Sequence, residues 1–348
     1  MKTLSLNIIG LGGLFSLLVS SAFAISSTPV GYVTYTANAN SDLKLGLVLE
    51  QATSFSGAVS SVTAGAIDAG SDVGDLTTNA HYVKMTSGAL DGQWFEVSSA
   101  SGTTVTVSED LAAGGVVAND TFQVIPFWTL DSLFPSGGSV PGSADIFNAD
   151  ALVQTFDPSN IGTNFATSSS HLYYTGSLAP SGWYDSSALT PSGSTALNPD
   201  IYIQVRNNTS SAANIVITGT VPESAVTVNV LSTSTGKQDN LVYNPYPTDI
   251  TLATSNLNSS GAVAGSPDIF NPTDLVLLYA PSGSAQNEAT IAAYLYYTGS
   301  LAPSGWYDSS TLTPADTAVI KAGQAVIIRK ASGSDQVTTW NSNLPYTL

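Results

Sequence analysis

Tyrosine, tryptophan and aspartate residues stand close together twice in this chain, and such a set could bind a sugar. The segment YYTGSLAPSGWYDSS occupies residues 173–187 and recurs unchanged at residues 296–310. An aromatic ring can pack on the C–H face of a sugar while a carboxylate beside it accepts hydroxyl hydrogen bonds, and two copies would add avidity. The candidate carbohydrate-binding residues are Tyr173, Tyr174, Trp183, Tyr184, Asp185, Tyr296, Tyr297, Trp306, Tyr307 and Asp308.

The same segment has a second interpretation, as duplicated scaffold. Adjacent residues of a β-strand point to opposite faces of the sheet. At least one Tyr of each YY pair, together with the Trp, would then fill a core rather than meet a ligand. The pattern favours scaffold, and the binding interpretation stays open as the alternative.

Recurring aspartates raise the question of catalysis by paired carboxyl groups. A glycoside hydrolase needs two carboxyl groups roughly 5 to 9 Å apart, one of them with a raised pKa. Every recurring acid here is an Asp in a turn-like setting, and no Glu occupies matching positions in the two copies. The mature chain also lacks a G-x-S-x-G elbow, a phosphate loop and a dinucleotide fingerprint. We therefore predict that the protein is not an enzyme, with a secreted glycoside-active enzyme as the most distant alternative.

Oxygen-rich turns near the same segments could hold calcium. The motifs SADIFNAD and SPDIFNPTD supply the carboxylate and amide oxygens that Ca²⁺ prefers, although neither has EF-hand spacing. The candidate calcium ligands are Asp145, Asn148, Asp150, Asp268, Asn271 and Asp274. A zinc site based on histidine is not expected, because His81 and His171 are the only imidazoles. We therefore predict no cofactor, with structural calcium as the alternative.

An internal duplication extends well beyond the repeated segment. The same spacing of 123 residues separates DIFN at 145 from DIFN at 268, Arg206 from Arg329 and Pro222 from Pro345. We therefore predict two homologous β-modules, at residues 126–240 and 241–348, after a β-rich region at 25–125. The run at 42–57 weakly echoes the run at 239–254, so a meander within 81–128 could be an insertion into the first module.

The fold class follows from the residue types between the turns. Short alternating runs rich in Val, Ile, Tyr and Thr, separated by Gly, Ser and Asn, predict an all-β protein. The meander strands are predicted at 81–88, 93–100, 103–110 and 121–128, with glycine in the turns between them. Strands that return on themselves in this way favour β-sandwich or partly open barrel modules.

The first 24 residues have the pattern of a secretory signal peptide. Met1 and Lys2 give a charged start, an apolar stretch follows, and AFA at 22–24 offers a cleavage site. No later apolar run approaches the ~20 residues that span a bilayer. We predict an exported protein of the periplasm, cell surface or extracellular space, without membrane insertion.

Charge and cysteine content restrict the partners further. The chain has 25 acidic and 8 basic residues, a formal net charge of −17 and no Cys. Nucleic acids and anionic membranes are recognised by clustered Lys and Arg, so neither is expected as a partner. Other envelope or extracellular proteins, a second copy of the chain, or a polysaccharide fit better. The mature start is β-prone and could add to a neighbour's sheet, although a strand of its own domain is the simpler interpretation.

Several of these motifs together resemble an uncharacterised family of secreted proteins from Verrucomicrobia-type bacteria. They are TPVGYVT (28–34), VIPFWTLDSLFP (124–135), the twin YYTG…GW elements and VIIRKAS (326–332). The resemblance spans most of the mature chain, but it implies export and architecture rather than an activity. The sequence departs from the family pattern at Tyr184 and Tyr307, where the family often has a basic residue. We therefore predict an exported, non-enzymatic structural or adhesion-type protein, with carbohydrate binding as the alternative.

Overall fold

Almost all regular structure in the protein is antiparallel β-sheet. The computed structural model describes residues 29–76 and 79–347, so the predicted signal peptide lies outside it. The sheets stack in a sandwich-like arrangement, and one of them is curled into a half-barrel. The predicted all-β class is confirmed. Within the described residues, no helix is long and apolar enough to cross a membrane.

The strands follow one another in four groups along the chain. The first two are β1 (Val30–Ala37) and β2 (Ser41–Leu45). Next come β3 (Phe55–Ala58), β4 (Ser61–Thr63), β5 (Ala66–Asp68), β6 (His81–Met85), β7 (Trp94–Ser101), β8 (Thr104–Val107) and β9 (Thr121–Pro126). After a short helix, α1 (Leu130–Leu133), and a 3₁₀ turn (Pro135–Gly137), the third group is β10 (Ala151–Thr155), β11 (Ser169–Tyr174), β12 (Gly182–Asp185), β13 (Ile203–Asn207) and β14 (Ala213–Thr220). The last group is β15 (Val226–Ser232), β16 (Gln238–Tyr243), β17 (Ile250–Thr251), β18 (Leu275–Leu278), β19 (Ala292–Tyr297), β20 (Gly305–Asp308), β21 (Val319–Ile320), β22 (Ala325–Lys330) and β23 (Gln336–Ser342).

Two groups of sheets repeat the same plan. One five-stranded sheet has the order β12-β11-β10-β13-β2, and the other has the order β16-β22-β18-β19-β20. Each is accompanied by a two-stranded sheet, β1-β14 in one case and β15-β23 in the other. We call β1, β2 and β10–β14 the first module and β15–β23 the second module. The boundary predicted between residues 240 and 241 falls inside β16, which pairs with β22 of the second module.

Strands β3–β9 form a seven-stranded sheet of their own, which we call the insert. Its order is β3-β9-β6-β7-β8-β5-β4. The chain leaves the first module after β2 and re-enters it before β10, while β2 pairs with β13 across the gap. The predicted meander strands correspond to β6–β9, and the turn residues Gly92 and Gly102 have φ of +80° and +57°, as tight hairpins require.

The modules exchange equivalent hydrogen bonds across their contact. In the first module Arg206 is paired with Asp42 at 2.7 Å, and a loop of the second module adds Asn287, whose backbone N–H donates to the same carboxylate. In the second module Arg329 is paired with Asp239, and the backbone N–H of Asn164, from the first module, donates to that carboxylate. Each module thus completes an ion pair of its neighbour, which fixes their relative position.

The hydrophobic core continues from one module to the other. One large cluster combines residues of the first module with Leu241, Leu277 and Ile327 of the second. The opposite face of the second module's sheet encloses a separate cluster that includes Trp306 and Trp340. Gly46 lies against the Tyr243 ring at the contact, where a Cβ atom would collide with it. The two modules therefore pack as one body through buried apolar side chains.

Candidate functional site: the twin loop tips

The repeated aromatic residues lie mainly inside the protein. Trp183 and Trp306 are each 2% exposed, and Tyr174 and Tyr297 are fully buried. Each Trp packs edge-to-face with a half-buried Tyr at 5.5 Å and 5.4 Å between ring centroids, through Tyr173 and Tyr296. A sugar cannot stack on a ring that is enclosed on both faces, so these rings belong to the core.

The buried tyrosines hold an exposed loop by their hydroxyl groups. The Tyr174 hydroxyl accepts a hydrogen bond from the Leu178 backbone N–H at 2.7 Å, and the Tyr184 hydroxyl donates to the Pro180 carbonyl at 2.9 Å. The second copy repeats both contacts through Tyr297 with Leu301 and Tyr307 with Pro303. The repeated segment is therefore a scaffold that fixes the loops at 175–181 and 298–304.

The aspartate of each repeated segment caps a turn of its own strand end. The Asp185 carboxylate accepts hydrogen bonds from the Ser187 hydroxyl and from the backbone N–H groups of Ser187 and Ala188. Asp308 does the same with Ser310 and Thr311. The Ser310 hydroxyl and the Thr311 N–H lower the pKa of Asp308 to about 2. Each carboxylate thus uses its Oδ1 oxygen to close its own turn.

A second exposed loop in each module begins at the repeated DIFN. The Asp145 carboxylate accepts hydrogen bonds from the Phe147 N–H at 2.9 Å and from the Asn148 amide at 2.7 Å. Asp268 makes the same two contacts with Phe270 and Asn271. The hydrogen bond from the Asn148 side chain is the main reason why the pKa of Asp145 is lowered. These predicted calcium ligands therefore close a local turn.

The remaining predicted calcium ligands, Asp150 and Asp274, do not occupy equivalent positions. Asp150 lies after the DIFN turn, whereas Asp274 is buried and binds the Lys330 ammonium at 2.5 Å. Asp274 also accepts from the Ala264 and Ala331 N–H groups. Within residues 29–76 and 79–347, no three His, Asp or Glu side chains form a group that could hold a metal ion.

The duplicated loops also expose large apolar side chains. Phe147 and Leu178 are 72% and 76% exposed, and their counterparts Phe270 and Leu301 are 68% and 76% exposed. We call each Phe–Leu pair a loop tip, and the two pairs together the twin loop tips. Large apolar side chains are costly to leave in water, so a repeated exposed pair is a candidate contact surface.

The two loops that form each tip are joined by backbone hydrogen bonds. In the first module the Ser143 N–H donates to the Tyr173 carbonyl at 2.8 Å, and the Thr175 N–H donates to the Ser143 carbonyl at 2.9 Å. Ser266 makes the same pair of bonds in the second module. Ile146 and Ile269 point inward and pack on the buried tyrosines. The tip residues are thus presented by a rigid base.

Sequence reasoning missed the tips although the signal was present. Phe147 lies within the DIFN motif and Leu178 within the repeated 15-residue segment, so all four residues were part of the duplication. The predicted sites rested on Tyr, Trp and Asp because the chemistry of these side chains is richer. Which apolar residues of a β-rich repeat face solvent depends on loop geometry, and strand alternation does not predict it.

The second tip lies beside a shallow groove lined by basic side chains. The groove has a volume of about 180 Å³ and is lined by Phe270 together with Lys237, Arg329 and Lys330. Arg329 and Lys330 are paired with Asp239 and Asp274, whereas Lys237 is exposed and takes part in no ion pair with a described residue. At the first module, Asn40 and Asn207 stand at the positions of Lys237 and Lys330. The two tips therefore differ in charge.

A small cavity lies where the insert meets both modules. It has a volume of about 40 Å³, and its lining includes Glu50, Lys84, Trp94, Asp200 and Tyr243. Lys84 is paired with Glu50 at 2.7 Å, and removal from water raises the pKa of Asp200 to about 7. This volume admits roughly three water molecules rather than a sugar ring. Glu50 and Asp200 were not anticipated, because they are distant in sequence and come together only through the fold.

Both histidines are held by neighbouring polar groups. The His171 ring lies between the hydroxyls of Ser169 and Ser192, at 2.9 Å and 3.0 Å, and burial lowers its pKa. His81 contacts the Ser54 hydroxyl and the Asn79 carbonyl. His171 is 3% exposed, which restricts the access that a general base needs.

Comparison with protein-family models, with curated proteins and with solved structures finds no significant match.

Proposed function

We propose that this is an exported, non-enzymatic structural or adhesion-type protein of the cell envelope or extracellular space, and that the twin loop tips are its contact surfaces. The observation that carries the proposal is the exposure of Phe147, Leu178, Phe270 and Leu301 at equivalent positions of the two modules. Two equivalent contact points on one chain raise the strength of attachment by avidity.

The hydrogen-bond partners of the recurring aspartates support a role without catalysis. The carboxylates of Asp145, Asp185, Asp268 and Asp308 accept hydrogen bonds within their own turns, and that of Asp274 neutralises a buried lysine. A catalytic carboxyl group must reach a substrate in a cleft. These side chains are used for folding instead.

The composition of the tips favours a protein or other apolar surface as partner. Each tip presents an aromatic and an aliphatic side chain on a chain whose formal net charge is −17. An anionic surface would be repelled, whereas an apolar patch on another envelope protein would bury Phe and Leu and gain roughly 25 cal/mol per Å² of apolar area.

The test is attachment of the labelled mature protein to washed cells of the source organism. We expect saturable binding that weakens at least about tenfold when all four tip residues are replaced by Ser, with an intermediate effect for one tip alone. The matched control replaces two exposed valines elsewhere, Val117→Ser and Val319→Ser, and should bind as the wild type does.

Binding that is unchanged in the four-residue variant would overturn the role of the tips. Attachment abolished by a soluble polysaccharide, with the tip variant unaffected, would favour the carbohydrate-binding alternative. Release of sugars from a glycan panel by the wild-type protein would overturn the non-enzymatic assignment.

A further inference from the structure

Strand β1 leaves one edge of its sheet open. Within residues 29–76 and 79–347 it pairs only with β14, from Val30 opposite Thr220 to Ala37 opposite Ala213. Pro29 and Val221, which lie opposite each other just before Val30 and Thr220, form a hydrogen-bonded pair, because the Val221 N–H donates to the Pro29 carbonyl at 2.9 Å. Hydrogen-bonded pairs alternate along an antiparallel ladder, so the odd-numbered residues of β1 face β14.

The even-numbered residues of β1 therefore direct their backbone groups to the open edge. These are Val30, Tyr32, Thr34 and Thr36. Among the described residues, no backbone or side-chain group is hydrogen-bonded to the main chain of any of the four. A row of unpaired main-chain groups of this kind is a template to which a further strand can add.

The corresponding edge in the second module is closed. Its edge strand β15 donates a hydrogen bond from the Thr227 N–H to the Gly92 carbonyl of the insert at 3.0 Å. Farther along β15, the Asn240 side-chain amide accepts from the Leu231 N–H at 2.7 Å and donates to the Leu231 carbonyl at 2.9 Å. The duplication thus supplies a closed version of the edge that β1 leaves open.

The open edge has none of the features that usually prevent pairing. Natural edge strands are protected by charged side chains, proline or bulges. Strand β1 reads VGYVTYTA and its partner β14 reads ANIVITGT, so neither strand carries a charge or a proline, and their register has no bulge. Val30 and Tyr32 are 77% and 74% exposed on the outer face.

Charge restricts where a second copy of the chain can dock. In a chain with a formal net charge of −17, two copies repel each other over most of their surface. The β1-β14 sheet is uncharged, so a second copy can approach there without placing like charges opposite each other. A two-fold axis through Val33 would set Tyr32 opposite Thr34 and Val30 opposite Thr36, which are aromatic–β-branched and β-branched pairs of the kind that stabilise antiparallel sheets.

We propose that β1 pairs antiparallel with β1 of a second copy, which joins the two β1-β14 sheets into one four-stranded sheet. The same surface is used on both copies, so the assembly closes as a two-fold dimer. The dimer surface is distinct from the twin loop tips and does not depend on the proposed function. Failure of one proposal therefore leaves the other standing.

The test is the molar mass of the mature protein by light scattering and sedimentation from about 1 to 100 μM. The wild type should reach twice the monomer mass. Tyr32→Lys places a charge beside its copy, and Thr34→Pro removes an edge N–H without removing a hydrogen bond to β14. Each should raise the dissociation constant at least about tenfold. Asn229→Lys, an exposed change on the closed strand β15, is the matched control and should leave the dimer intact.

Hydrogen exchange gives a residue-level readout. The amides of Tyr32 and Thr34 should become protected as concentration rises, while the amide of Val33, which already faces β14, should not change. Thermal melting verifies that each variant is folded, and Tyr32→Lys serves as the decisive variant if Thr34→Pro lowers stability. A wild type that stays monomeric at about 100 μM, a dimer that survives both β1 variants, or open-ended oligomers would each overturn the two-fold pairing.

Discussion

At the scale of single residues, side chains typical of binding sites here serve the fold. Trp183 and Tyr174 are core residues, and the Tyr174 hydroxyl accepts a hydrogen bond from the backbone N–H of Leu178 in the exposed loop. Asp185 and Asp308 bind backbone N–H groups within three residues of themselves. A residue type therefore indicates a possible chemistry, and its hydrogen-bond partners decide whether that chemistry is free to act.

The turn made by Asp308 should contribute stability that depends on pH. Its pKa is lowered from an ordinary value of 3.8 to about 2, so the contribution is fully present above pH 4 and is lost as pH falls toward 2. We expect Asp308→Ala to reduce the free energy of unfolding at pH 7 by up to about 1 kcal/mol, since the group is largely exposed, and by less at pH 2.5. Urea denaturation at both pH values measures this. Glu109→Gln controls for removal of an exposed charge, and an equal loss at both pH values would contradict the prediction.

At the scale of the elements, equivalent strand ends of the two modules are held by different polar contacts. The buried pair of Lys330, the last residue of β22, with Asp274, which precedes β18, has no counterpart in the first module. There Asn207 and Ala151 occupy the same positions, and Asn207 donates to the carbonyls of Ala37, Asn38 and Ser211. The same strand end is thus satisfied by an ion pair in one module and by a neutral amide in the other.

Loss of one partner should expose the cost of a buried charge. Asp274→Ala leaves the Lys330 ammonium without its counter-ion, and we expect the free energy of unfolding to fall by about 3 to 5 kcal/mol. Adding Lys330→Asn gives the second module the residues of the first and should restore at least about 1 kcal/mol. Equilibrium urea unfolding of both variants provides the comparison. A double variant that is no more stable than Asp274→Ala would show that the ammonium is not the source of the loss.

At the scale of the whole molecule, the insert and the two modules meet around ionisable groups. The Lys84–Glu50 pair joins β6 to the segment after β2, and Asp200 faces the same cavity beside Trp94 and Tyr243. Burial raises the pKa of Asp200 to about 7, while a hydrogen bond from Trp94 and the charge of Lys84 act in the opposite direction. The junction therefore carries a carboxyl group that resists ionisation.

Stability should consequently fall as pH rises from about 4 to 7. In that window the folded state keeps a proton on Asp200 that the unfolded chain has released, so the folded state binds more protons. We expect Asp200→Asn to raise the free energy of unfolding at pH 8 by at least about 1 kcal/mol and to have a smaller effect at pH 4.5. Chemical denaturation at the two pH values tests this, with Glu109→Gln as the control. A stabilisation that is the same at both pH values would rule out ionisation as the cause.

Much of the element pattern is predictable from spacing and residue type along the chain. The 123-residue offset predicts the equivalence of β11 with β19 and of β13 with β22, and turn glycines predict the hairpins of the meander. Strands β12 and β20 are harder to predict, although each pairs with its neighbour, β11 or β19. A four-residue strand next to Pro and Gly has little pattern of its own, and its long-range partner decides its state.

The sequence alone determined the all-β class, the duplication and the hairpin turns, because alternation, spacing and glycine are local properties of the chain. Only the tertiary structure decided that the repeated aromatic rings are buried, that Phe147 and Leu178 are exposed, and that β1 has an open edge while β15 is closed. Each of these outcomes depends on contacts between residues far apart in sequence. Burial and edge closure are set by which surfaces meet in space, and no local pattern records that.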